Sequence, residues 1–326
     1  MSENLYNVNS EILYLYDAKM TNPNGDPDDE NKPRFDYEKE VNLVSDVRLK
    51  RYIRDYLQSR GYGIFVSKVD GETVDATERL KRVLKKEKLT ALSKEDTDQI
   101  LKELIDVRLF GATMPIKAQE GSRGATSTFT GPVQFSWGYS LNKGELVRSN
   151  SITSLFAGRT EEGKGEYGTF GKDWRLYYSL LAFYGIISGY RAQYTQLTKE
   201  DVDLLDDALL NAIPLMASTR SKIGQKPRLF LRIEYKDLYT FLGDLRGKIV
   251  LDRETGLRDI KDFTVDLTPL FEFLKKYEEK IQKLLVYVDP ELRVKGEPLD
   301  EQLSTLFPHC VTFLPKSGDH HAGNRL

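Results

Sequence analysis

Cysteine and histidine are scarce in this chain, and their positions remove whole classes of chemistry. The single cysteine, Cys310, excludes an intramolecular disulfide framework. All three histidines, His309, His320 and His321, lie in the last eighteen residues, so a Ser-His-Asp or Cys-His centre would have to recruit the end of the chain. His309 beside Cys310, and the adjacent His320 and His321, lack the CxxC or HxxxH spacing usual for zinc ligands. Long apolar runs are missing too. "LLAFYGII" falls far short of the ~20 residues a membrane span needs, and "MSENLYNVNSEILYLYDAK" has neither the basic nor the long apolar region of a signal peptide. A cytoplasmic protein with no membrane contact is expected. Nor does one charge dominate: 48 Lys and Arg against 50 Asp and Glu leave a net charge of −2, which argues against a basic protein that coats nucleic acid with its whole surface.

What is present is enough apolar sequence, 40% of 326 residues, to bury a substantial core as one elaborated domain. The charge is unevenly spread. Between positions 218 and 236, "STRSKIGQKPRLFLRIEYK" holds six Lys or Arg against the lone Glu234. One strongly positive face, or a solvated strand and loop, fits that stretch. Acids concentrate instead in "TNPNGDPDDENKPR" at 21–34. An EF-hand is excluded there by spacing: with Gly25 as the sixth position, Met20 falls first and Asn31 twelfth, so the first ligand and the bidentate Glu are both missing. The residues also suit a plain turn. Asp17, Asp26, Asp28 and Asp29 are the one set left that could hold Mg²⁺ for phosphodiester cleavage.

Strands and helices alternate along the chain. "EILYLYDAK" (11–19) reads as a buried strand. Ser45 caps a helix over "DVRLKRYIRDYLQSR" that stops at Gly61, with Leu49, Ile53, Tyr56 and Leu57 on one face and Arg48, Lys50, Arg51 and Arg54 on the other. "RGYGIFVS" (60–67) half matches an RNA-recognition signature, but in the wrong place for that fold's third strand. Residues 75–106 read as a helical insertion with a capping box at Ser93 and Asp96. "KAQEGSRGATSTFT" then leads into "GPVQFSWGYSLN", read as one alternating strand with Phe135, Trp137 and Tyr139 on one side, where bases could stack. Gly163, Gly165 and Gly168 spell G-x-G-x-x-G, yet no helix or suitably placed acid follows, and Lys172 precedes Asp173 rather than Ser or Thr; neither a dinucleotide site nor a P-loop results, and the segment reads as a mobile loop. A helix capped by Thr198 (198–216), a strand at 228–235, and a last helix opened by Thr268 and Pro269 with Phe271, Leu274, Ile281 and Leu285 on its apolar face complete the reading. The order is that of an α+β, ferredoxin-like or RNA-recognition fold enlarged by insertions.

Several stretches, in order, resemble a known family: "LYDAKMTNPNGDPDDENKPR", "NLVSDVRLKRYIRDYL", "FTGPVQFSWGYSLN" and "STRSKIGQKPR" are similar to the repeated backbone subunit of type I CRISPR surveillance complexes (Cascade), the seventh Cas family in its subtype I-B form. The resemblance runs from about position 12 to 235. It implies a hand-shaped protein: an RNA-recognition-type palm (about 8–66 and 140–240), a helical insertion as fingers (about 70–106), a thumb-like hairpin (about 112–140) and a C-terminal extension (about 241–326). It further implies a non-catalytic subunit, without cofactor or metal, whose copies stack along a guide RNA and leave sequence readout to base pairing with target DNA. Other Cascade subunits and a recruited nuclease-helicase would be its partners. Matched by motif and charge, the guide contacts would be Lys19, Asn24, Arg34, Arg48 and Arg51 on the palm, Lys117 and Arg123 at the thumb, and Arg220, Lys222, Lys226 and Arg228 in the basic stretch. Two alternatives stay open. Related type III backbone subunits cut target RNA with a loop aspartate, which here would be Asp26, and a stand-alone single-stranded RNA-binding module would need no assembly.

Overall fold

Apolar side chains on both faces of one strand organise the molecule. A computed structural model of the chain describes residues 4–68, 71–117, 124–157 and 168–315. Strand β1 (Ser10–Thr21) buries Ile12, Leu13, Tyr14, Leu15 and Tyr16 completely or nearly so, as a strand covered on both sides must. The acidic stretch after it is a tight turn between β2 (Gly25–Asp26) and β3 (Lys32–Pro33), closed by the Asn31 amide on the Asp26 carbonyl at 2.8 Å. Glu30 and Asn31 adopt left-handed backbone angles there. The short β4 (Phe35–Asp36) and β5 (Val41–Val44) lead to α1 (Asp46–Ser59), where Ser45 accepts the Arg48 amide and Leu49, Ile53, Tyr56 and Leu57 form the buried stripe.

An inserted unit follows with a core of its own. Helices α2 (Ala76–Leu84), α3 (Lys94–Glu103) and α4 (Ile105–Phe110) and the hairpin β6 (Gly111–Ile116) with β7 (Ala125–Thr130) bury Phe65, Leu80, Leu84, Ile100, Met114 and Ile116 together. The Ser93–Asp96 capping box is present at α3. The next stretch is not one strand. It divides into β8 (Val133–Phe135) and β9 (Gly138–Ser140), because the Ser136 amide and hydroxyl both turn to the Tyr184 carbonyl, at 2.9 and 3.1 Å. Phe135 therefore enters the core under the helices, Trp137 is exposed, and Tyr139 lies beneath the Arg246 guanidinium at 4.3 Å; the three aromatics share no face.

Hairpin β10 (Ser151–Ala157) and β11 (Gly168–Lys172) comes next, and Gly163 and Gly165 of the glycine pattern lie outside the described residues. Then come β12 (Leu176–Ile187), α5 (Gly189–Thr195), α6 (Lys199–Met216) with a capping box at Thr198 and Asp201, and β13 (Gln225–Tyr235). The last part contains β14 (Val250–Leu251), β15 (Val265–Asp266), α7 (Thr268–Lys275), β16 (Ile281–Val288), α8 (Leu299–Leu306) and β17 (Val311–Phe313). The helix begun at Thr268 is corrected here in both cap and length. Leu267 occupies the cap position, with the Thr268 amide bonded to the Asp266 carboxylate at 2.9 Å. Ile281 and Leu285 belong to strand β16, which pairs with β13; a register shift beside Tyr235 places them on opposite faces.

Among the described residues the main sheet has nine strands, ordered β17-β16-β13-β1-β12-β9-β5-β4 with β8 also on β12, antiparallel except for β16 and β17. Even-numbered residues of β1 (Ile12, Tyr14, Tyr16) face α1 and α6, while Leu13 and Leu15 face Leu245, Ile260, Phe263 and Leu270 of the C-terminal part. Glu11, fully buried, ties that part down: its carboxylate accepts the Leu242 and Gly243 amides at 2.8 Å each and the Tyr184 and Tyr235 hydroxyls. No helix among the described residues is long and apolar enough to cross a membrane.

Candidate nucleic-acid interface

The C-terminal end of β1 is where the cations gather. The turn before β13 lies along it: the Lys19 amide bonds Gly224 O at 2.8 Å, the Asn22 amide bonds Ser221 O at 2.9 Å, and the Lys222 ammonium donates to Asn22 O at 2.5 Å. Gly224 has φ +105°, and a Cβ there would collide with the Lys19 carbonyl, so glycine is required for this approach. From α1, Arg48 stacks over the Tyr52 ring at 4.0 Å, and Gln225 donates to the Tyr52 hydroxyl at 3.3 Å. Asn24 anchors the acidic turn to the same helix start by accepting the Ser45 amide at 2.9 Å and its hydroxyl at 3.0 Å. Arg175, at the entry to β12, donates to the Met20 carbonyl at 2.8 Å and to Asp173 at 2.9 Å, and Arg220 stands 3.8 Å from the same carboxylate.

Three properties set this corner apart. Burial, and then the charge of Arg48, pull the Lys222 ammonium down to a pKa of about 7. Met20, Val47 and Ile223 are large apolar side chains left exposed. Arg48 Nε, Asn22 Oδ1 and Gln225 Oε1 are buried without a hydrogen-bond partner among the described residues. Arginine and lysine beside exposed apolar side chains and unsatisfied polar atoms suit a ligand that has both phosphates and flat faces.

The sequence-predicted residues divide. Arg48, Arg220 and Lys222 meet at this corner, with Asn24 bracing it. Lys19, Lys226 and Arg228 line an adjoining cleft of about 440 Å³ together with Asp17, Asp259 and Glu291. There Lys19 pairs with Asp259, and Lys226 with Asp289 at 2.7 Å. Arg228 is buried between Asp17 at 2.8 Å, Asp289 at 2.7 Å and Glu291 at 2.7 Å. Arg228 and Lys226 hold the Glu291 carboxyl down at about 2. Arg34 pairs with Asp26 at 3.2 Å, Arg51 with Asp55 at 2.7 Å, and Lys117 with Asp75 at 2.8 Å on the inserted unit; Arg123 lies outside the described residues. The basic face read on α1 is also corrected, because two of its cations turn inward: Lys50 bonds Asp46 and Gln134 at 3.1 and 2.9 Å, and Arg54 pairs with the buried Asp106 at 3.0 Å. The four acids read as a Mg²⁺ set are likewise divided. Asp17 is bound to Arg228 in the sheet, Asp26 to Arg34, and Asp29 to Lys32 at 2.7 Å. Among the described residues no group of three or more His, Cys, Asp or Glu could hold a metal ion. Sequence reasoning missed Arg175, which lies outside every quoted motif, and Met20 and Ile223, which lie within two of them but as apolar residues gave no sign of a binding role.

Comparison with known proteins gives a consistent family. The model described as CRISPR-associated protein Cas7 matches residues 8–268. A CRISPR-associated protein Cas7 of Haloferax volcanii is 35% identical over 302 residues, covering 87% of this chain and 88% of that protein. Among solved structures, a chain of a CRISPR RNA-guided surveillance complex, pre-nicking, superposes with a TM-score of 0.49 at 14% identity, over 92% of this chain and 100% of that one. A chain of a Type III-B Cmr-beta complex bound to cognate target RNA gives a TM-score of 0.38 at 11% identity, over 70% of this chain and 61% of that one. By the family match and the curated relative, this chain belongs to the Cas7 family of CRISPR-associated proteins.

Proposed function

We propose that this chain is the non-catalytic backbone subunit of a type I-B Cascade complex, which polymerises along the guide RNA and presents it for pairing with target DNA. The observation that carries the reading is the meeting of Arg48, Arg175, Arg220 and Lys222 beside exposed Met20 and Ile223, in a chain whose net charge is −2. Such contacts hold phosphates without reading sequence. Family membership supports it, since Cas7 proteins form the crRNA-binding backbone of CRISPR effector complexes. The order β13-β1-β12-β9, with α1 and α6 on one face, is in keeping with a ferredoxin-like or RNA-recognition palm over about 8–66 and 140–240, to which the main-sheet strands β8 (Val133–Phe135) and β9 (Gly138–Ser140) are added from the stretch read as thumb. In an RNA-recognition motif the opposite face stacks bases; here the C-terminal part covers it, so the guide is assigned to the end of the sheet. The fingers are the helical insertion of about 70–106, and the thumb is the hairpin within about 112–140, carried rigidly because Met114 and Ile116 are buried in the insertion's core. Further copies, other Cascade subunits and a recruited nuclease-helicase are the partners, in the cytoplasm.

Co-expression with a CRISPR array and the partner genes, followed by nuclease digestion of the bound RNA, tests this. Protection in regular short steps that lengthen with the guide is expected. A single footprint of fixed size would replace the reading with a stand-alone RNA-binding module. The endonuclease alternative turns on Asp26, whose carboxylate is occupied by Arg34 at 3.2 Å and the Asp28 amide at 3.2 Å. Asp26→Ala is expected to leave guided target binding unchanged and to remove no Mg²⁺-dependent cut.

Lys222 gives a pH dependence. With its folded pKa at about 7, the ammonium is losing its proton just where a bound phosphate would favour keeping it. Guide affinity should therefore fall as pH rises from 7 towards 9, with uptake of up to one proton on binding, and Lys222→Met should be weaker but flat over that range. In the RNA-free chain the sign is opposite. The unfolded lysine titrates near 10.4, so between about pH 7 and 10 the unfolded state binds more protons and stability rises with pH, relative to Lys222→Met. Denaturant titrations at the two ends of the window read this directly.

A further inference from the structure

Helix α5 stands at the other end of β12 from Arg175, about 40 Å away along a twelve-residue strand. It exposes two aromatic rings side by side. Tyr190 is 57% and Tyr194 62% accessible, their centroids are 5.5 Å apart edge to face, and their hydroxyls are 2.9 Å apart. The pair is rigidly presented. Ser188 accepts the Arg191 amide at 3.3 Å, the Gly189 amide donates to buried Asn9 at 3.1 Å, and the Thr195 hydroxyl donates to the Arg108 carbonyl at 2.8 Å.

Together with Arg191 and with Thr128, Phe129 and Thr130 of β7, the two tyrosines line a cleft of about 500 Å³ whose lining, among the described residues, includes no carboxylate. Three other clefts among the described residues differ in this respect. The groove beside α6 holds Glu200, Asp203 and Asp207, the one at Lys19 holds Asp17, Asp259 and Glu291, and the one at Tyr6 holds Asp203 and Glu234. In a chain with 50 acidic residues, exposed rings beside a guanidinium, with no acid among the described lining residues, make a surface compatible with a polyanion that has flat faces.

We propose that the Tyr190–Arg191–Tyr194 cleft binds a single-stranded nucleic-acid segment other than the guide, with a base stacked on the tyrosines and a phosphate on Arg191. Threonine hydroxyls of β7 offer hydrogen bonds to either. The site shares its β7 wall with the thumb hairpin and lies at the opposite end of the sheet from Arg48, Arg175, Arg220 and Lys222.

The test uses the guide-loaded protein and a fluorescent thymidine homopolymer with no match to the guide. Wild type is expected to bind it in a salt-dependent way, Tyr190→Ala with Tyr194→Ala to weaken it about tenfold or more, and Tyr190→Phe with Tyr194→Phe to retain it because the rings remain. The RNA-free chain with Arg48, Arg220 and Lys222 replaced by alanine should still bind the homopolymer, which separates this site from the guide reading. The proposal is overturned if wild type does not bind the homopolymer or if the alanine pair binds it as wild type does. It is also overturned if the alanine pair loses guide RNA to the same extent, since the tyrosines then belong to the guide site. Loss of another protein subunit with homopolymer binding intact would overturn it as well, by marking a protein interface.

Discussion

Arg232→Ala should remove about 3–5 kcal/mol of folding stability, a third or more of what a typical domain possesses. The guanidinium lies between β13 and α6, donating from Nε to both oxygens of Asp206 at 3.0 Å and from a terminal nitrogen at 2.7 Å. Its remaining nitrogen reaches the Tyr6 hydroxyl at 3.2 Å and Glu234 at 3.1 Å. Both members of the pair are buried. Burial alone would lower the pKa of Arg232, but Asp206 outweighs it and holds the group firmly charged. Alanine would strand a carboxylate in the core with its partner gone. Denaturant unfolding should show a much lower midpoint at an unchanged slope. Because the pair as a whole is worth little relative to apolar residues of similar volume, Arg232→Met with Asp206→Leu should recover most of the loss. A cost below about 1 kcal/mol for the single substitution would mean that Asp206 is solvated or neutral.

Alanine at Arg48, Arg220 and Lys222 together should weaken guide RNA binding on the order of 1,000-fold at ~0.1 M salt, since each charge-assisted contact contributes ~1.5 kcal/mol or more. The loss should be the same for any guide sequence. Salt dependence should flatten by about 2 in the log–log slope, at ~0.7 per phosphate contact for a single strand. Stability is a useful control: Arg220 is well exposed and Lys222 loses its charge readily, so neither change should unfold the protein. Lys117→Ala, on the inserted unit and paired with Asp75, should have a smaller effect. A defect confined to one guide sequence would contradict phosphate recognition.

Much of the architecture was legible because its signals are local. Ser45 and Thr198 cap α1 and α6 as their side chains dictate, and the apolar runs of β1, β12 and β13 could pair only in a buried sheet. The strand Ile281–Val288 was hidden. Its apolar residues fit the spacing of the preceding helix, and only pairing with β13 decides between the two. Charges were legible as types but not as partners. Arg54, Arg228 and Arg220 look alike in sequence, yet Asp106 lies 52 residues from the first and Asp289 61 from the second, and only the third keeps a largely exposed side chain. Arg175 joins the site solely because β12 begins where β1 ends, a matter of strand register.

The Glu11 anchor also sets a schedule for synthesis. β1 is translated first, but its neighbours are Leu176–Ile187 and Gln225–Tyr235, and its buried carboxylate has its full set of donors only once the amides of Leu242 and Gly243 join the Tyr184 and Tyr235 hydroxyls. At ~5–20 residues per second the ribosome needs on the order of 10–40 s to supply the strands that flank it. During that interval "ILYLY" is an unpaired apolar strand, the kind of segment that chaperones shield and that aggregates when they do not. The central strand of the sheet thus becomes native only when about three quarters of the chain has emerged, and a truncated product ending before Leu242 would leave the Glu11 charge buried without its backbone donors.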